Sequence, residues 1–167
     1  MDTLQVRLVA NEIRYQFSAR DVGSKFDSLG AYKSQTRRKA AHFLRYLRKK
    51  FPFKVKAIQI DGGSEFKDPF EEECRRGKIL LFLLRPRSPR VNGHVERASR
   101  THREEFYEVY DVDLSLEEHN KQLEQWEDVD NYIRPHQALD YLTAYEYYRQ
   151  WKRNSRPNVM NEYTNLT

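Results

Sequence analysis

Apolar and polar residues alternate early in the chain and then change period. Leu4-Gln5-Val6-Arg7-Leu8-Val9 is short, partly alternating and rich in β-formers, and Ala10-Asn11-Glu12 reads as a turn. Ile13 to Ala19 alternates as a half-buried strand does. After a break at Val22-Gly23-Ser24, Phe26 to Tyr32 supplies a third strand, so short turns predict an antiparallel meander. Thr36 can then cap a helix running to about Lys50, because Ala40, Phe43, Leu44 and Leu47 recur at spacings of three and four, with Pro52 beyond. Val55 to Ile60 forms a strand that ends in Asp61-Gly62-Gly63, and a short helix follows from about Pro69 to Arg76. Ile79 to Leu84 is a continuous apolar run, the pattern of a strand buried on both faces.

Residues 85–93 form a loop on their prolines and glycine. The next helix reaches about Tyr107, with Val95, Ala98, His102 and Phe106 on one face and Glu96, Arg100 and Arg103 on another. Ser115 opens an acidic helix with Glu118 as its capping-box partner, and Leu116, Leu123, Trp126 and Val129 supply its buried side. Pro135 stops that helix. A last helix runs from about Thr143 to Lys152. The pattern predicts one domain over 1–153, a frayed tail over 154–167, and a mixed α/β sheet with helices on both faces.

Composition narrows the class. At 167 residues with 13% aromatics the chain can build a core, which argues against wholesale disorder. No apolar run is long enough for a transmembrane helix, and no secretory signal opens the sequence. A single cysteine, Cys74, forms no internal disulfide. The expectation is a soluble, cytoplasmic protein with no membrane partner.

The net charge of +5 hides an asymmetry. Residues 33–56 hold ten Lys/Arg and no acid, residues 85–103 hold six Arg and one acid, and residues 104–131 hold eleven acids and one Lys. This polarity points to a polyanion bound on one face and away from the acidic stretch. Charged helices that merely keep their outer faces solvated are the alternative.

Three acids stand out. Asp61 follows a strand and precedes two glycines, so a ligand or metal can approach it closely, although Asp-Gly is also a common turn pair. Glu96 is the one acid among six arginines near a helix start. It suits either a metal-bound phosphodiester site or a plain interaction with the helix dipole or an arginine. Asp2 opens the first strand and, taken alone, is a solvated terminal residue.

Together these segments resemble a known superfamily. Ile58-Gln-Ile-Asp61-Gly-Gly-Ser-Glu-Phe66 is similar to the second-acid motif of bacterial insertion-sequence transposases and retroviral-type integrases. Arg87-Ser-Pro-Arg-Val-Asn-Gly-His-Val-Glu-Arg97 is similar to their third-acid motif, and 34 residues separate the two acids, close to the usual spacing. Asn131 to Thr143 resembles the segment that closes such cores. The resemblance covers about residues 2–150.

It implies a ribonuclease-H-like fold: a mixed five-stranded sheet, its first three strands antiparallel, with helices on both faces. It also implies a DDE-type catalytic triad, for which Asp2, Asp61 and Glu96 are the matching acids and Asp21 the fallback for the first. Hard carboxylate oxygens select Mg²⁺ or Mn²⁺. Two such ions about 3.5–4 Å apart activate a water or 3′-hydroxyl and stabilise the leaving oxygen. In this scheme Asp61 bridges both ions, while Asp2 and Glu96 each complete one. His94 and His102 show no zinc-ligand spacing.

Arg87, Arg90, Asn92, Gly93, Arg97, Arg100 and Arg103 are the implied DNA contacts, with Arg85 as a further backbone contact. The alternative for these arginines is surface pairing with the acids of 104–131. The implied activity is phosphodiester hydrolysis and DNA strand transfer on element ends and target DNA, by a homo-oligomer that is at least a dimer, in a bacterial nucleoid. Another ribonuclease-H-like nuclease, or a degraded DNA-binding and multimerising remnant, would share much of this pattern. The superfamily normally carries a DNA-binding region ahead of its core, and Met1 directly precedes Asp2, so Asp2 is expected on a fraying end with weakened metal affinity. Asp140 and Ala144 stand where the superfamily often has Gly and Pro.

Overall fold

The computed structural model describes residues 1–84 and 97–155. Arg85, Arg87, Arg90, Asn92, Gly93, His94, Val95, Glu96 and the tail from 156 lie outside the described residues.

The meander forms as its alternation predicts. β1 (Asp2–Arg7), β2 (Ile13–Arg20) and β3 (Asp27–Tyr32) are antiparallel, with Asp2 opposite Ser18 and Ser18 opposite Leu29. β4 (Ala57–Ile60) and β5 (Leu80–Leu83) pair in parallel, Ala57 opposite Leu80. The expected five-stranded sheet is not what the strands make: they form one three-stranded and one two-stranded sheet. The two meet where the Met1 nitrogen donates to the Gln59 carbonyl at 2.7 Å. The reason is overlap: β1 starts at Asp2, so a single main-chain bond, not a ladder, joins it to β4.

Helix α1 (Arg37–Lys50) buries Ala40, Phe43, Leu44 and Leu47 as its spacing dictates, and the Thr36 hydroxyl accepts from the Lys39 N–H at 3.3 Å. These residues pack with Phe17, Ile58, Ile60, Phe66 and Phe70, the last from α2 (Phe70–Gly77). Each such fully buried side chain contributes about 1.5–3 kcal/mol. A second core packs Leu29 and Ala31 of β3 with Phe106, Leu123 and Trp126. Helix α3 is described over 97–107 and passes into a π-helical turn at His102–Tyr107; α4 spans Leu116–Asp128. Of the predicted buried face of α3, Ala98, His102 and Phe106 are buried, and Val95 lies outside the described residues.

Helix α4 and the turn after it also close the free edge of β3. Asn120 bonds the Ala31 N–H and C=O (2.9 and 3.1 Å), Asn131 bonds the Asp27 N–H and C=O (2.7 and 2.9 Å), and the Glu127 carboxylate accepts from the Leu29 N–H. Side chains thereby satisfy main-chain groups that would otherwise invite another strand.

Three local expectations need correction. β5 is not buried on both faces: Leu80, Phe82 and Leu83 are exposed, because β5 is the edge of a two-stranded sheet and packs inward only through Leu81 and the preceding Ile79. Ser115 makes no capping box; its N–H bonds Asp113, and Glu118 pairs with Lys121. The box forms instead at Thr143 and Glu146, opening α5 (Ala144–Asn154). Val129, expected in the core, is 38% exposed, since a π-helical turn at Val129–Ile133 rotates the face presented inward after α4.

Candidate active site

Asp2 lies at the start of β1 and is half-buried, not frayed. Its Oδ1 accepts from the Thr3 N–H at 2.8 Å and its Oδ2 from the Ser99 hydroxyl at 3.2 Å, which docks α3 against β1. Asp61 directly follows β4 and is exposed, with its Oδ1 accepting from the Gly63 N–H at 3.1 Å. Gly62 takes φ +87°, a conformation that costs glycine little. At Gly63 a Cβ would sit 2.5 Å from a Glu65 oxygen, so no larger residue fits without displacing that carboxylate.

Buried Glu65 ties the two strand ends together: its Oε1 accepts from the Thr3 hydroxyl at 3.1 Å and from the Gln35 amide at 2.5 Å. Thr3, Glu65, Gln35 and Ser99 are the supporting residues that sequence reasoning missed. Glu65 lies four residues after Asp61 in the same motif, and Ser99 lies three residues after Glu96, a spacing that on a helix puts two residues on one face.

The electrostatics set these acids apart. Burial raises the Asp2 pKa, the negative charge of Asp61 raises it further, and the bonds from Thr3 and Ser99 act in the opposite direction. Neither Asp2 nor Asp61 is in an ion pair among the described residues. The Met1 ammonium acts on both acids and slightly lowers the Asp2 pKa, but burial lowers the pKa of that ammonium itself to about 6. Two carboxylates that repel each other with so little positive charge beside them are a hard-oxygen donor pair suited to a divalent cation. No group of three or more His, Cys, Asp or Glu forms a metal cage among the described residues, which exclude Glu96.

Asp21, the fallback first acid, belongs to a turn: its Oδ2 accepts from the Ser24 N–H (2.7 Å) and hydroxyl (2.8 Å) after β2. Arg97, Arg100 and Arg103 are exposed along α3. The acids of 104–131 find other partners: Glu105 pairs with Arg134, Glu117 and Glu118 with Lys121, and Glu124 with Lys50. His102 is fully buried, accepting from the Trp126 indole at Nδ1 (3.1 Å) and facing Asp27 at Nε2 (3.2 Å).

Known proteins are similar to this chain in part of its sequence and in its fold. Residues 78–143 match the family model described as integrase core domain. A chain of the simian T-cell lymphotropic virus intasome, solved in complex with PP2A regulatory subunit B56 gamma, superposes with a TM-score of 0.74 at 16% identity; the match covers 95% of this chain and 54% of that one. The chain thus spans about half the length of that relative. The catalytic core domain of BIV integrase superposes with a TM-score of 0.69 at 18% identity, covering 91% of this chain and 94% of the domain. Comparison with curated proteins returns no match. In sequence over residues 78–143, and in fold over nearly its whole length, the chain is similar to the integrase catalytic cores, the superfamily its motifs resemble.

Proposed function

We propose that this chain is the DNA-processing catalytic core of a DDE-type transposase or integrase. The observation that carries the reading is the Ser99–Asp2 bond, because it brings the helix following Glu96 to the strand end where Asp2 senses the charge of Asp61. A helical register carried back three residues from Ser99 puts position 96 on the Asp2 side. Asp2, Asp61 and Glu96 then hold Mg²⁺ or Mn²⁺. When bound, two such cations raise the nucleophilicity of an attacking oxygen and offset charge on the leaving one.

The chain's own residues do the orienting. Thr3 N–H and the Ser99 hydroxyl aim the two oxygens of Asp2, Gly63 N–H aims Asp61, and Glu65 fixes the spacing of the strand ends. Arg97, Arg100 and Arg103 hold backbone phosphates, with Arg87, Arg90, Asn92 and Gly93 contacting the DNA end. In the first reaction a water oxygen bonds to phosphorus as the bond to the 3′-oxygen breaks, freeing a 3′-hydroxyl. In the second, that hydroxyl attacks a target phosphate and displaces the target's own 3′-oxygen. Two ends require two cores, so the working form is at least a dimer on DNA.

The test is a strand-transfer and end-hydrolysis assay on the element-end duplex with Mg²⁺ or Mn²⁺. Asp61→Asn and Glu96→Gln should each lower both reactions by about 1,000-fold or more while leaving the melting temperature near that of the wild type. Retained activity in either variant overturns the assignment. Cleavage of RNA–DNA hybrid without strand transfer would mark a different nuclease, and DNA binding with no metal-dependent reaction would mark a binding remnant.

A further inference from the structure

One run of positive charge plays no part in the function proposed above. Residues 33–56 hold ten Lys/Arg and no acid, and α1 lies within them. On α1, Arg38, His42, Arg45 and Lys49 are exposed, and their spacing puts them on one helix face over about 16 Å. Burial, then the positive charges of Arg45, Lys39 and Lys49, lower the His42 pKa, so these cations act on one spot. The chain's own acids answer little of this charge. Arg45 and Arg48 share the single carboxylate of Glu73, and Lys50 takes Glu124 and Glu127. Arg37, Arg38, Lys39 and Lys49 are in no ion pair among the described residues. Helix stability does not account for them either. The dipole favours acids in a first turn, as α2, α4 and α5 have, whereas α1 starts with three cations and no acid. A partner with negative charge repeated along its length fits such a face.

The place of α1 says which partner. Adjacent residues of a strand point to opposite faces of a sheet. Asp2 meets Ser99 of α3, whereas Thr3 meets Glu65, which also accepts from the Gln35 amide just ahead of α1. Phe17, opposite Thr3 in register, packs on Phe43 of α1 with ring centroids 5.8 Å apart. Helices α1 and α3 therefore lie on opposite faces of the sheet, and both reach the strand end that holds Asp2. Two rows of cations leave the candidate site along different faces: Arg97, Arg100 and Arg103 on α3, and the Arg38 to Lys49 row on α1. Strand transfer brings two duplexes to one site, the element end and the target.

We infer that the exposed face of α1 from Arg38 to Lys49 binds the backbone phosphates of the second duplex, the target DNA. Phosphate contacts of this kind position a duplex without reading its sequence. The inference rests on the proposed function only for the identity of that duplex; the binding itself needs no metal and no reaction.

The first experiment measures binding of the full chain to a duplex lacking the element end, by fluorescence anisotropy without divalent metal. Arg38→Ala with Lys49→Ala is compared with Arg7→Ala with Arg153→Ala, a pair of equal net charge whose cations are also exposed. The α1 pair should weaken binding about 10-fold or more at low salt and reduce the salt slope by about 2, while the control pair changes affinity less than about 2-fold. Melting temperatures of both pairs should stay near that of the wild type. In the wild type, bound duplex should move the His42 titration to higher pH by about 0.5 or more, read by NMR. With Mg²⁺ and the element-end duplex, the α1 pair should lower strand transfer about 10-fold and end hydrolysis less than about 3-fold. Binding by the α1 pair that matches the wild type or the control pair overturns the inference, as does a His42 titration that duplex leaves in place. Equal loss of both reactions overturns the assignment to target DNA. Self-association without DNA that the α1 pair abolishes assigns the face to a second copy and also overturns it. A wild type that binds duplex through α1 but performs neither reaction upholds the face as a duplex site and overturns the proposed function instead.

Discussion

Two groups of acids lie within this small domain, and they are treated in opposite ways. Beneath the sheet, Asp27 and Asp130 share the Arg20 guanidinium, with Asp130 at 2.7 Å, and Asp27 also faces His102. Burial opposes ionisation of Asp27, but Arg20 and His102 overcome it and hold the carboxyl at about 2. At the strand ends, Asp2 and Asp61 have hydrogen-bond donors and no side-chain ion pair among the described residues; the Met1 ammonium acts on both, burial lowers its own pKa to about 6, and the Asp2 pKa is raised. A carboxylate supplied with its own counter-charge holds the fold together. One oriented by N–H and O–H groups and little offset by charge fits the cation-ligand role proposed for it.

The sharpest way to break this contrast is to neutralise one acid from each group. Asp27→Asn leaves the buried Arg20 short of a charge and should cost about 3–5 kcal/mol in urea unfolding. Asp61→Asn should stay within about 0.5 kcal/mol of wild type, because Asp61 is exposed, its repulsion of Asp2 offsets its attraction to the Met1 ammonium, and an asparagine oxygen still accepts the Gly63 N–H. Comparable losses in the two variants would show that both groups are structural.

The next effect is a pH dependence. Burial pushes Glu127 up to about 8, and although Lys50 lies 3.3 Å from it, that ammonium is closer to exposed Glu124 at 2.6 Å. With the folded pKa above the unfolded one, its contribution to stability is complete below about 4.5 and is lost as pH rises through 8. The loss between pH 5 and 8 should be on the order of 3 kcal/mol, and Glu127→Gln, which keeps an acceptor for the Leu29 N–H, should flatten it. Asp27 works in the reverse sense: its contribution is full above about 4 and is lost as pH falls toward 2. Melting curves from pH 3 to 9 read both limbs, and a wild type whose stability stays level from 5 to 8 would show that Glu127 ionises freely.

The sequence divides along the same line. The meander, α1 and the buried face of α3 were legible because alternation and three-four spacing are direct records of which side meets the core. Asp2 and Asp61 were legible as residues at strand ends, which is where the structure has them, while Glu96 lies outside the described residues. What stayed hidden depends on partners distant along the chain. Glu127 and Asp130 sit in a stretch of eleven acids that reads as solvated, yet they are buried because Leu29, Arg20 and Lys50 arrive from elsewhere. Ser115-x-x-Glu118 and Thr143-x-x-Glu146 are the same local signal, but Asp113 takes the Ser115 N–H in the first, and only the second closes.

A smaller effect measures the site directly. Saturating Mn²⁺, at about 100 times its dissociation constant, should stabilise the wild type by about 2.7 kcal/mol, and Asp2→Asn or Asp61→Asn should remove most of that gain. Lowering the pH should erode it in the wild type, since a proton competes for Asp2 more readily than for an ordinary aspartate. An equal gain in the variants would place the cation elsewhere.

The smallest effect comes from an acid that belongs to neither group. Asp140 is exposed and holds φ 53°, followed by Tyr141 at 62°, in the left-handed region that glycine occupies without a steric penalty. The superfamily often has Gly at this position, and the backbone shows why: the turn between Leu139 and Leu142 needs that conformation whatever side chain is present. Asp140→Gly relieves the strain but also frees the unfolded chain, so the two terms partly cancel. A net gain of about 0.5 kcal/mol is expected, with catalysis and the pH profile unchanged. If loss of this carboxylate instead lowered stability or activity, acids would matter here through the overall field of the protein, and the distinction between paired and unpaired carboxylates would lose its meaning.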